Sequence, residues 1–342
     1  MVDPESLYTT IRDEAGTVLI GNEQVLEELT VSLLTGGHVL LEGVPGVAKT
    51  TIAEVFARTL GLDFQRIQMT PDLMPADITG TTIYREATGE FEAKRGPIFS
   101  NVVVVDEINR ATPKTQSALL EAMQEEQVTI EGSTHPLPEP FMVVATMNPI
   151  DMEGTFALPE AQRDRFQLKL GVDIPERELE DALLERFDEN PDLRADWVRQ
   201  VVTAGDIAAA REVADDAYVD PSIRSYILDI VQATRDSSDT AHGASPRASI
   251  HLLAASKARA AIYGREYVIP DDPKALAGSV LAHRLVLSTD AELGDLKPRT
   301  VVEDAVRTVT PPTHDEIRSA AAAVSDGGCP TDGDDAVERS DE

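Results

Sequence analysis

The sequence predicts an α/β fold, in which a parallel β-sheet is covered by helices on both faces and is followed by an all-helical domain. In the first half of the chain, short apolar runs alternate with segments whose apolar residues recur at helical spacing. The run Val102–Val105 is apolar at every position, which is typical of a strand buried on both faces. After Pro175 the strand patterns fade and helical spacing takes over, which places the helical domain in the C-terminal half.

Five strands and three helices are predicted in the first half of the chain. The strands are His38–Glu42, Phe64–Gln68, Asn101–Val105, Phe141–Thr146 and Phe166–Leu170. The helices between them are Glu23–Leu34, Ala48–Leu60 and Pro113–Glu125. Two further segments, 82–91 and 128–137, each carry a glycine-containing turn between alternating stretches. We predict that both are β-hairpins inserted into the minimal strand–helix pattern.

Three regions follow from these patterns, with a first domain at 1–174 and a helical domain at 175–325. Asp220 and Ser245 each precede a proline, which is typical of an N-cap followed by proline at the first helical position. Ser245 is therefore expected to open a helix that extends to about Tyr263. The last stretch, 326–342, has seven acidic residues and almost no apolar ones, so we expect it to be disordered.

The chain is strongly acidic, with 61 acidic residues against 30 basic ones and a formal net charge of −31. Such a surface repels a phosphate backbone, so direct binding of nucleic acid is not expected. We interpret the charge as halophilic adaptation, since high net charge keeps proteins soluble in strong salt. The single cysteine, Cys329, excludes a disulfide within the chain. Apolar runs are too short to cross a membrane and the N-terminus carries no secretion-signal pattern, so a soluble cytoplasmic protein is predicted.

The segment Gly43–Thr50 has the pattern of a phosphate-binding loop between a predicted strand and a predicted helix. Glycines let backbone N–H groups converge on phosphate oxygens, and the helix N-terminus adds a favourable dipole. Lys49 is expected to bridge the β- and γ-phosphates, and the Thr50 hydroxyl to ligate Mg²⁺. Ala48 replaces the usual glycine before the lysine, and we interpret it as the helix start, where alanine is well tolerated. The predicted nucleotide contacts in this segment are Gly43, Pro45, Gly46, Val47, Ala48, Lys49, Thr50 and Thr51.

Two carboxylates follow the buried strand Asn101–Val105. Asp106 at the strand tip suits a ligand of Mg²⁺ or of its water, the Walker B role. Glu107 is then placed to orient and activate the attacking water. Asn148 ends another apolar strand, where its carboxamide is predicted to hold that water or the γ-phosphate. The sequence thus predicts Thr50 and Asp106 as metal ligands, with Glu107 and Asn148 as catalytic residues.

Three arginines stand in positions that indicate an anionic ligand. Arg163 and Arg165 lie in a short predicted helix before a strand, and Arg247 lies in the first turn of the helix that Ser245 opens. An arginine at a helix N-terminus is unfavourable for the helix dipole, so its presence indicates a nearby anion such as a γ-phosphate. A surface salt bridge on this acidic chain is the alternative interpretation.

Together these patterns resemble the MoxR branch of the AAA+ ATPases. The matching segments are Gly43–Thr50, Thr70–Gly80, Gly96–Phe99, Asp106–Ala111, Lys114–Met123, Leu158–Gln162 and Gly243–Ala248. They spread over about residues 20–290, which is most of the chain. The resemblance implies a P-loop NTPase fold with an αβα core and a C-terminal helical lid domain. It also implies ATP and Mg²⁺ as ligands and ATP hydrolysis as the activity.

The resemblance further assigns roles to individual residues. Asn148 would be sensor 1, Arg165 the arginine finger that reaches the neighbouring subunit's site, and Arg247 sensor 2. Ile20 and Gly21 would lie near the adenine, and the two hairpins would be the helix-2 insert and the pre-sensor-1 hairpin. Arg163 departs from the family pattern, because relatives usually carry an aliphatic residue there, and it leaves the finger assignment open between two arginines.

The resemblance implies a homo-oligomeric ring, commonly hexameric, that remodels a client protein like a chaperone. Such proteins often act with a partner that carries a von Willebrand A domain, and sometimes during metal-cofactor insertion. Three alternatives remain at this point. They are a nucleotide-gated binding module with negligible hydrolysis, a DNA-directed AAA+ motor, and a small-molecule kinase. The Asp106-Glu107 pair, the acidity of the chain and the separate helical lid respectively argue against them.

Overall fold

The computed structural model of the protein describes residues 3–85, 89–148, 155–191 and 194–313. Within these ranges the predicted fold is confirmed, since a five-stranded parallel sheet with helices on both faces is followed by a helical lid domain. No helix in the same ranges is both long and apolar enough to cross a membrane. The acidic stretch 326–342 lies outside the described residues, so its predicted disorder stays a prediction.

We number the elements in chain order. The strands are β1 (Val39–Glu42), β2 (Phe64–Gln68), β3 (Gly80–Arg85), β4 (Glu90–Arg95), β5 (Val102–Asp106), β6 (Gln127–Ile130), β7 (Ser133–Pro136), β8 (Met142–Met147), β9 (Leu168–Gly171), β10 (Thr240–His242) and β11 (Val286–Leu287). The helices are α1 (Pro4–Ala15), α2 (Glu23–Leu34), α3 (Lys49–Thr59), α4 (Pro75–Thr79), α5 (Pro113–Glu125), α6 (Glu160–Arg163), α7 (Arg177–Glu189), α8 (Ala204–Asp215), α9 (Pro221–Asp236), α10 (Pro246–Ile262), α11 (Asp271–Leu281), α12 (Thr289–Leu293) and α13 (Pro298–Thr308).

The central sheet has the strand order β2-β5-β8-β1-β9, and every neighbouring pair is parallel. These are the five predicted strands, with ends displaced by at most two residues. The carboxyl ends of β1, β5 and β8 therefore meet at one edge of the sheet, where ligands bind in open α/β folds. The loop before α3, the residues after β5 and the residue after β8 all lie at this edge.

Alternate side chains of the strands belong to two apolar clusters on opposite faces of the sheet. Val102 and Val104 belong to the cluster that includes side chains of α2 and α3, whereas Val103 and Val105 belong to the cluster that includes α5. All four valines are fully buried. The continuous apolar run thus reflects burial on both faces, as predicted. Each buried valine contributes on the order of 1.5–3 kcal/mol to the free energy of unfolding.

Both predicted hairpins are present. β3 pairs with β4 in antiparallel register, with Gly80 opposite Arg95 and Arg85 opposite Glu90. Near the tip of this hairpin the exposed rings of Tyr84 and Phe91 lie 5.2 Å apart between centroids. β6 pairs with β7 in the same antiparallel manner. Neither hairpin joins the central sheet.

The lid domain is helical, as predicted, and also contains a short antiparallel ribbon of β10 and β11. Helix α1 packs against α8 and α10, so the N-terminal helix contributes to the apolar core of the lid. Leu7, Ile207 and Leu252 accordingly share one cluster of fully buried side chains. The division at 174–175 stays a prediction, because residues from both sides of it build this cluster.

The two predicted helix starts lie where the sequence places them. Asp220 caps α9, since its carboxylate accepts a hydrogen bond of 2.8 Å from the Ser222 N–H. Ser245 occupies the N-cap position of α10, and that helix ends at Ile262. The Ser245 side chain makes no capping bond, and its buried hydroxyl has no hydrogen-bond partner among the described residues.

Candidate nucleotide-binding site

The loop between β1 and α3 forms an open concavity at the carboxyl edge of the sheet. Gly46 has φ +90°, and no other heavy atom lies within 4 Å of the place where a Cβ would stand. The Lys49 ammonium donates to the carbonyl oxygens of Gly43 at 2.6 Å and Val44 at 2.8 Å. Burial lowers the pKa of Lys49 from its usual value, and the carboxylates of Glu107 and Asp106 oppose that shift. A partly desolvated cation beside an open loop is suited to bind a phosphate.

Ala48 lies just before α3, and the sequence interpretation of this residue is wrong in one respect. The helix begins at Lys49, and Ala48 is the N-cap residue with φ 64° and ψ 21°. This left-handed conformation favours glycine and costs an alanine roughly 1–2 kcal/mol. Alanine is therefore strained at this position rather than simply tolerated as a helix former.

Gly43 is required by a close approach of the chain. A Cβ at this position would stand 2.3 Å from the carbonyl oxygen of Val172, which follows β9. The amide of Gly43 also donates to the Met147 carbonyl at 3.3 Å. The start of the phosphate loop is thus fixed between the ends of β8 and β9, and any larger residue would displace it.

Asp106 is the most buried carboxylate at this edge, with 2% of its surface exposed. The Thr50 hydroxyl donates to its Oδ1 at 2.7 Å, and the Thr146 hydroxyl donates to the same atom at 3.3 Å. The guanidinium of Arg66 in β2 donates to Oδ2 at 2.6 Å. The two predicted metal ligands, Thr50 and Asp106, are therefore in direct contact.

Glu107 follows β5 in a left-handed conformation, with φ 54° and ψ 54°. Its backbone N–H donates to the Thr146 hydroxyl at 3.0 Å. Its Oε2 accepts from the Gln68 carboxamide at 3.1 Å and from the Arg110 guanidinium at 3.0 Å. These contacts hold the carboxylate at the same edge as Lys49, with about a third of the side chain exposed to solvent.

Asn148 directly follows β8, which lies between β5 and β1. Its backbone carbonyl accepts a bond of 3.4 Å from the Asn109 carboxamide, and Asn109 is itself buried. The position of Asn148 is therefore next to the two strands that carry the phosphate loop and the carboxylates, as the sequence predicts.

The side chains at this edge fit a magnesium–nucleotide complex. A hydroxyl, Thr50, and a carboxylate, Asp106, are hard oxygen donors of the kind that Mg²⁺ prefers. The described residues contain no cluster of three or more His, Cys, Asp or Glu side chains able to bind a metal by themselves. Mg²⁺ is commonly held by one or two protein ligands together with substrate phosphates. The site thus has the composition expected when the phosphates complete the coordination.

The predicted adenine contacts, Ile20 and Gly21, precede α2. Gly21 has φ +71°, and a Cβ there would stand 3.2 Å from a methyl group of Leu179 in α7. The Asn22 carboxamide donates to the Ile20 carbonyl at 3.5 Å. The turn at Gly21 therefore packs against the first helix of the lid domain, and the role of both residues in binding the base stays a prediction.

The two candidate finger residues lie around the end of α6. Arg165 Nη1 donates to the Leu120 carbonyl in α5 at 2.6 Å. The buried Nε of Arg163 has no hydrogen-bond partner among the described residues. The backbone N–H of Gln167 donates to the His38 carbonyl just before β1. The segment 163–167 therefore lies towards the amino edge of the sheet. Neither arginine is grouped with the phosphate loop of its own chain.

Arg247 lies on the same side of the molecule. Its Nη1 is 3.8 Å from Oδ2 of Asp164, so its nearest anion is a carboxylate of the same chain. β9 follows Asp164 and runs parallel to β1, which leads to the phosphate loop. Asp164 precedes β9 whereas the phosphate loop follows β1, so the contact of Arg247 with Asp164 lies towards the end of the sheet opposite to that loop. The contact of Arg247 with a γ-phosphate stays a prediction.

Four residues at the carboxyl edge were not identified as site residues from the sequence. They are Arg66, Gln68, Arg110 and Thr146, which hold Asp106 and Glu107 through the bonds described above. Arg66 and Gln68 alternate along β2, and β2 pairs with β5 in parallel. The period-two pattern of β2 was the available signal, but the strand order that brings it beside β5 was not visible in the sequence.

Two family models match the chain. Residues 38–168 match the ATPase family associated with various cellular activities (AAA), and residues 232–311 match the AAA lid domain. The first region contains the phosphate loop and both carboxylates, and the second contains Arg247. The two matches therefore cover the core and lid that the structure displays.

Several known proteins are similar over most of their length. The chaperone MoxR1 of Mycobacterium tuberculosis is 45% identical, over 87% of this chain and 81% of that protein. The protein MoxR of Paracoccus denitrificans is 33% identical, over 79% of this chain and 86% of that protein. A crystal structure of a candidate ATPase from Cytophaga hutchinsonii has a TM-score of 0.82 at 40% identity, and the similarity covers 91% of this chain and 97% of that one.

Proposed function

The chain belongs to the MoxR family of AAA+ ATPases, and on this basis we propose that it hydrolyses Mg²⁺-ATP to drive conformational work on a client protein. The observation that carries the proposal is the grouping of Lys49, Thr50, Asp106 and Glu107 at one edge of the sheet. A phosphate-binding cation, two metal-binding oxygens and a second carboxylate are the groups that phosphoryl transfer to water requires.

The phosphate loop holds the triphosphate. The amides around Gly46 and the Lys49 ammonium bind the phosphate oxygens, and Lys49 exchanges its two carbonyl contacts for the β- and γ-phosphates. Thr50 and Asp106 would hold Mg²⁺, which would supply positive charge to offset the charge of the phosphates. Pro45, Val47, Ala48 and Thr51 complete the loop, and Ile20 and Gly21 border the base.

Glu107 and Asn148 act on the attacking water. Glu107 accepts a proton from the water while the water oxygen bonds to the γ-phosphorus. The bond from that phosphorus to the β–γ bridging oxygen breaks, which releases ADP. Asn148, at the end of the neighbouring strand β8, positions this water. Gln68 and Arg110 both bind the Glu107 carboxylate, so together they keep this base in place before ATP binds.

The reaction is completed by an adjacent subunit. Arg165 lies towards the amino edge of the sheet, so it reaches a nucleotide only when a second copy of the chain presents its phosphate loop there. Arg247 lies beside the same segment and is presented to the same neighbouring site. A finger supplied in trans raises the rate by about 10³–10⁵, which corresponds to about 4–7 kcal/mol. In a closed homo-oligomeric ring, hexameric by the family resemblance, every site would receive an arginine finger from a neighbour.

The client is a protein, in keeping with the chaperone of Mycobacterium tuberculosis that this chain resembles. A partner with a von Willebrand A domain, and a role in metal-cofactor insertion, are proposed from the family resemblance alone. The acidic surface makes DNA a poor client, because a net charge of −31 repels the phosphate backbone.

A steady-state assay of phosphate release in molar KCl with Mg²⁺ tests the proposal. The wild-type protein is expected to turn over, Glu107→Gln to bind ATP without turnover, and Glu266→Gln on the lid surface to behave as wild type. ATP binding without phosphate release by the wild type would overturn the proposal and would indicate a nucleotide-gated binding module.

A further inference from the structure

Arg284 joins the lid domain to the segment that carries the proposed arginine finger. It ends the 3-10 turn Ala282–Arg284 after α11, and only 2% of its side chain is exposed. Its Nε donates to Oδ1 of Asp164 at 2.7 Å. Its terminal nitrogens donate to the carbonyls of Phe166 at 2.8 Å, Gln167 at 3.1 Å and Asp164 at 3.3 Å. One side chain therefore binds the backbone on both sides of Arg165.

The surrounding lid residues fix the guanidinium in this position. Arg284 also donates to the Val280 carbonyl and, at 2.7 Å, to Nδ1 of His251 in α10. Burial and the neighbouring Arg284 lower the pKa of His251 to about 4, so its Nδ1 is an acceptor at neutral pH. His283 donates from Nε2 to the Phe166 carbonyl at 3.0 Å. Three lid side chains thus form one hydrogen-bonded unit with residues 164–167.

Arg284 and Arg165 make their hydrogen bonds to different parts of the molecule. Arg284 binds the main chain before and after Arg165, whereas the Arg165 side chain is bonded elsewhere, to Leu120 in α5. Arg247 approaches the second carboxylate oxygen of Asp164. Arg284 therefore fixes the backbone on both sides of Arg165 without bonding to the Arg165 side chain.

We propose that Arg284 is a positioning residue for ATP hydrolysis in the adjacent subunit, because it fixes the segment 164–167 to its own lid. This inference rests on the proposed function, in which Arg165 acts in trans. Arg165 and Arg247 are then held in one arrangement relative to each other and to the lid. A triphosphate bound by the neighbouring subunit then meets both arginines in this arrangement.

The first test compares Arg284→Gln with Arg224→Gln, a matched change at an exposed arginine on the same lid domain. Arg284→Gln is expected to bind ATP with wild-type affinity, since the phosphate loop of its own chain is intact. Its kcat should fall by up to about 100-fold, the loss associated with a misplaced catalytic group. Wild-type kcat in Arg284→Gln would overturn the inference.

Mixing of variants separates positioning from folding. Lys49→Ala chains cannot bind ATP but carry Arg284 and an intact finger, so in mixed rings they are expected to restore turnover at the sites of Arg284→Gln chains. Failure of this restoration, in a ring that assembles normally, would overturn the inference. If Arg284→Gln does not fold, Asp164→Asn replaces it, because that change keeps the carbonyl contacts of Arg284 and removes the ion pairs that Asp164 makes with Arg284 and Arg247.

The two proposals fail in different ways. Absence of turnover in the wild type, or full turnover in Arg165→Ala, contradicts the proposed function. Restoration of Arg165→Ala by Lys49→Ala, together with wild-type kcat in Arg284→Gln, contradicts only the role of Arg284.

Discussion

The hydroxyl of Thr50 donates a hydrogen bond of 2.7 Å to Oδ1 of Asp106, although 56 residues separate them in the sequence. The bond joins the first turn of α3 to the end of β5. Both groups are oxygen donors, and Arg66 and Thr146 hold the carboxylate in place. Two motifs recognised separately in the sequence are therefore parts of one site.

Asp106→Asn is expected to weaken magnesium-dependent binding of ATP by at least about tenfold, because a charged metal ligand is replaced by a neutral one. The Kd for ATP, measured with and without Mg²⁺, checks this. Asp229→Asn, at an exposed position of α9, is the control and should match the wild type. An unchanged magnesium dependence in Asp106→Asn would exclude this residue as a ligand.

Arg165→Ala is expected to lower kcat by about 10³-fold or more while the Kd for ATP stays unchanged, since the finger stabilises charge in the transition state of another subunit's site. Arg163→Ala serves as the comparison two residues away, and a smaller loss is predicted for it. Turnover measured over a range of protein concentrations should also rise with assembly. A larger loss in Arg163→Ala would transfer the finger role to that residue.

His38 makes the stability of the core depend on pH. Its ring accepts from the Val143 N–H and donates to the Met123 carbonyl, each at 3.1 Å. Burial lowers the pKa of His38 from 6.5 to about 4. Between these values the unfolded chain binds the proton and the folded chain does not, so stability is lost as the pH falls. The shift corresponds to about 3 kcal/mol between pH 7 and pH 4.

Urea unfolding at a series of pH values checks this dependence. His38→Asn should be less stable at neutral pH and should lose part of the wild-type slope below about pH 6.5. His242→Asn, at an exposed histidine, should keep the slope. Identical slopes in the wild type and in His38→Asn would show that this ring does not titrate on unfolding.

The net charge of −31 predicts that the folded chain gains stability as salt is added. Raising ionic strength from about 0.1 M to about 1 M shortens the Debye length from about 10 Å to about 3 Å and screens the self-repulsion. The melting temperature should therefore rise with KCl. An uncharged osmolyte at matched osmolality is the control, and a melting temperature independent of KCl would contradict the halophilic interpretation.

Patterns local in sequence predicted most of the fold and half of the site. The apolar run Val102–Val105 predicted a strand that is buried on both faces. The strand–loop–helix pattern identified Lys49 and Thr50 as site residues. The backbone conformation of Ala48 was not foreseen, because helical propensity says nothing about a left-handed N-cap. The placement of Arg247 beside Asp164 was not foreseen either, since it depends on how the lid packs against the sheet.

Arg284 shows the same limit more clearly. In the sequence it is one arginine between a helix and a short strand, with no motif around it. Its function in our proposal arises from contacts with residues about 120 positions away. Tertiary packing, rather than any repeat or spacing, brings these groups together.

Every proposed role depends on the binding of a triphosphate by the loop around Gly46 and Lys49, and calorimetric titration with ATP in molar KCl and Mg²⁺ measures that binding. We expect heat of binding for the wild type and for Lys114→Ala, a change at an exposed lysine, and none for Lys49→Ala. No uptake of nucleotide by the wild type, or equal uptake by Lys49→Ala, would contradict this proposal.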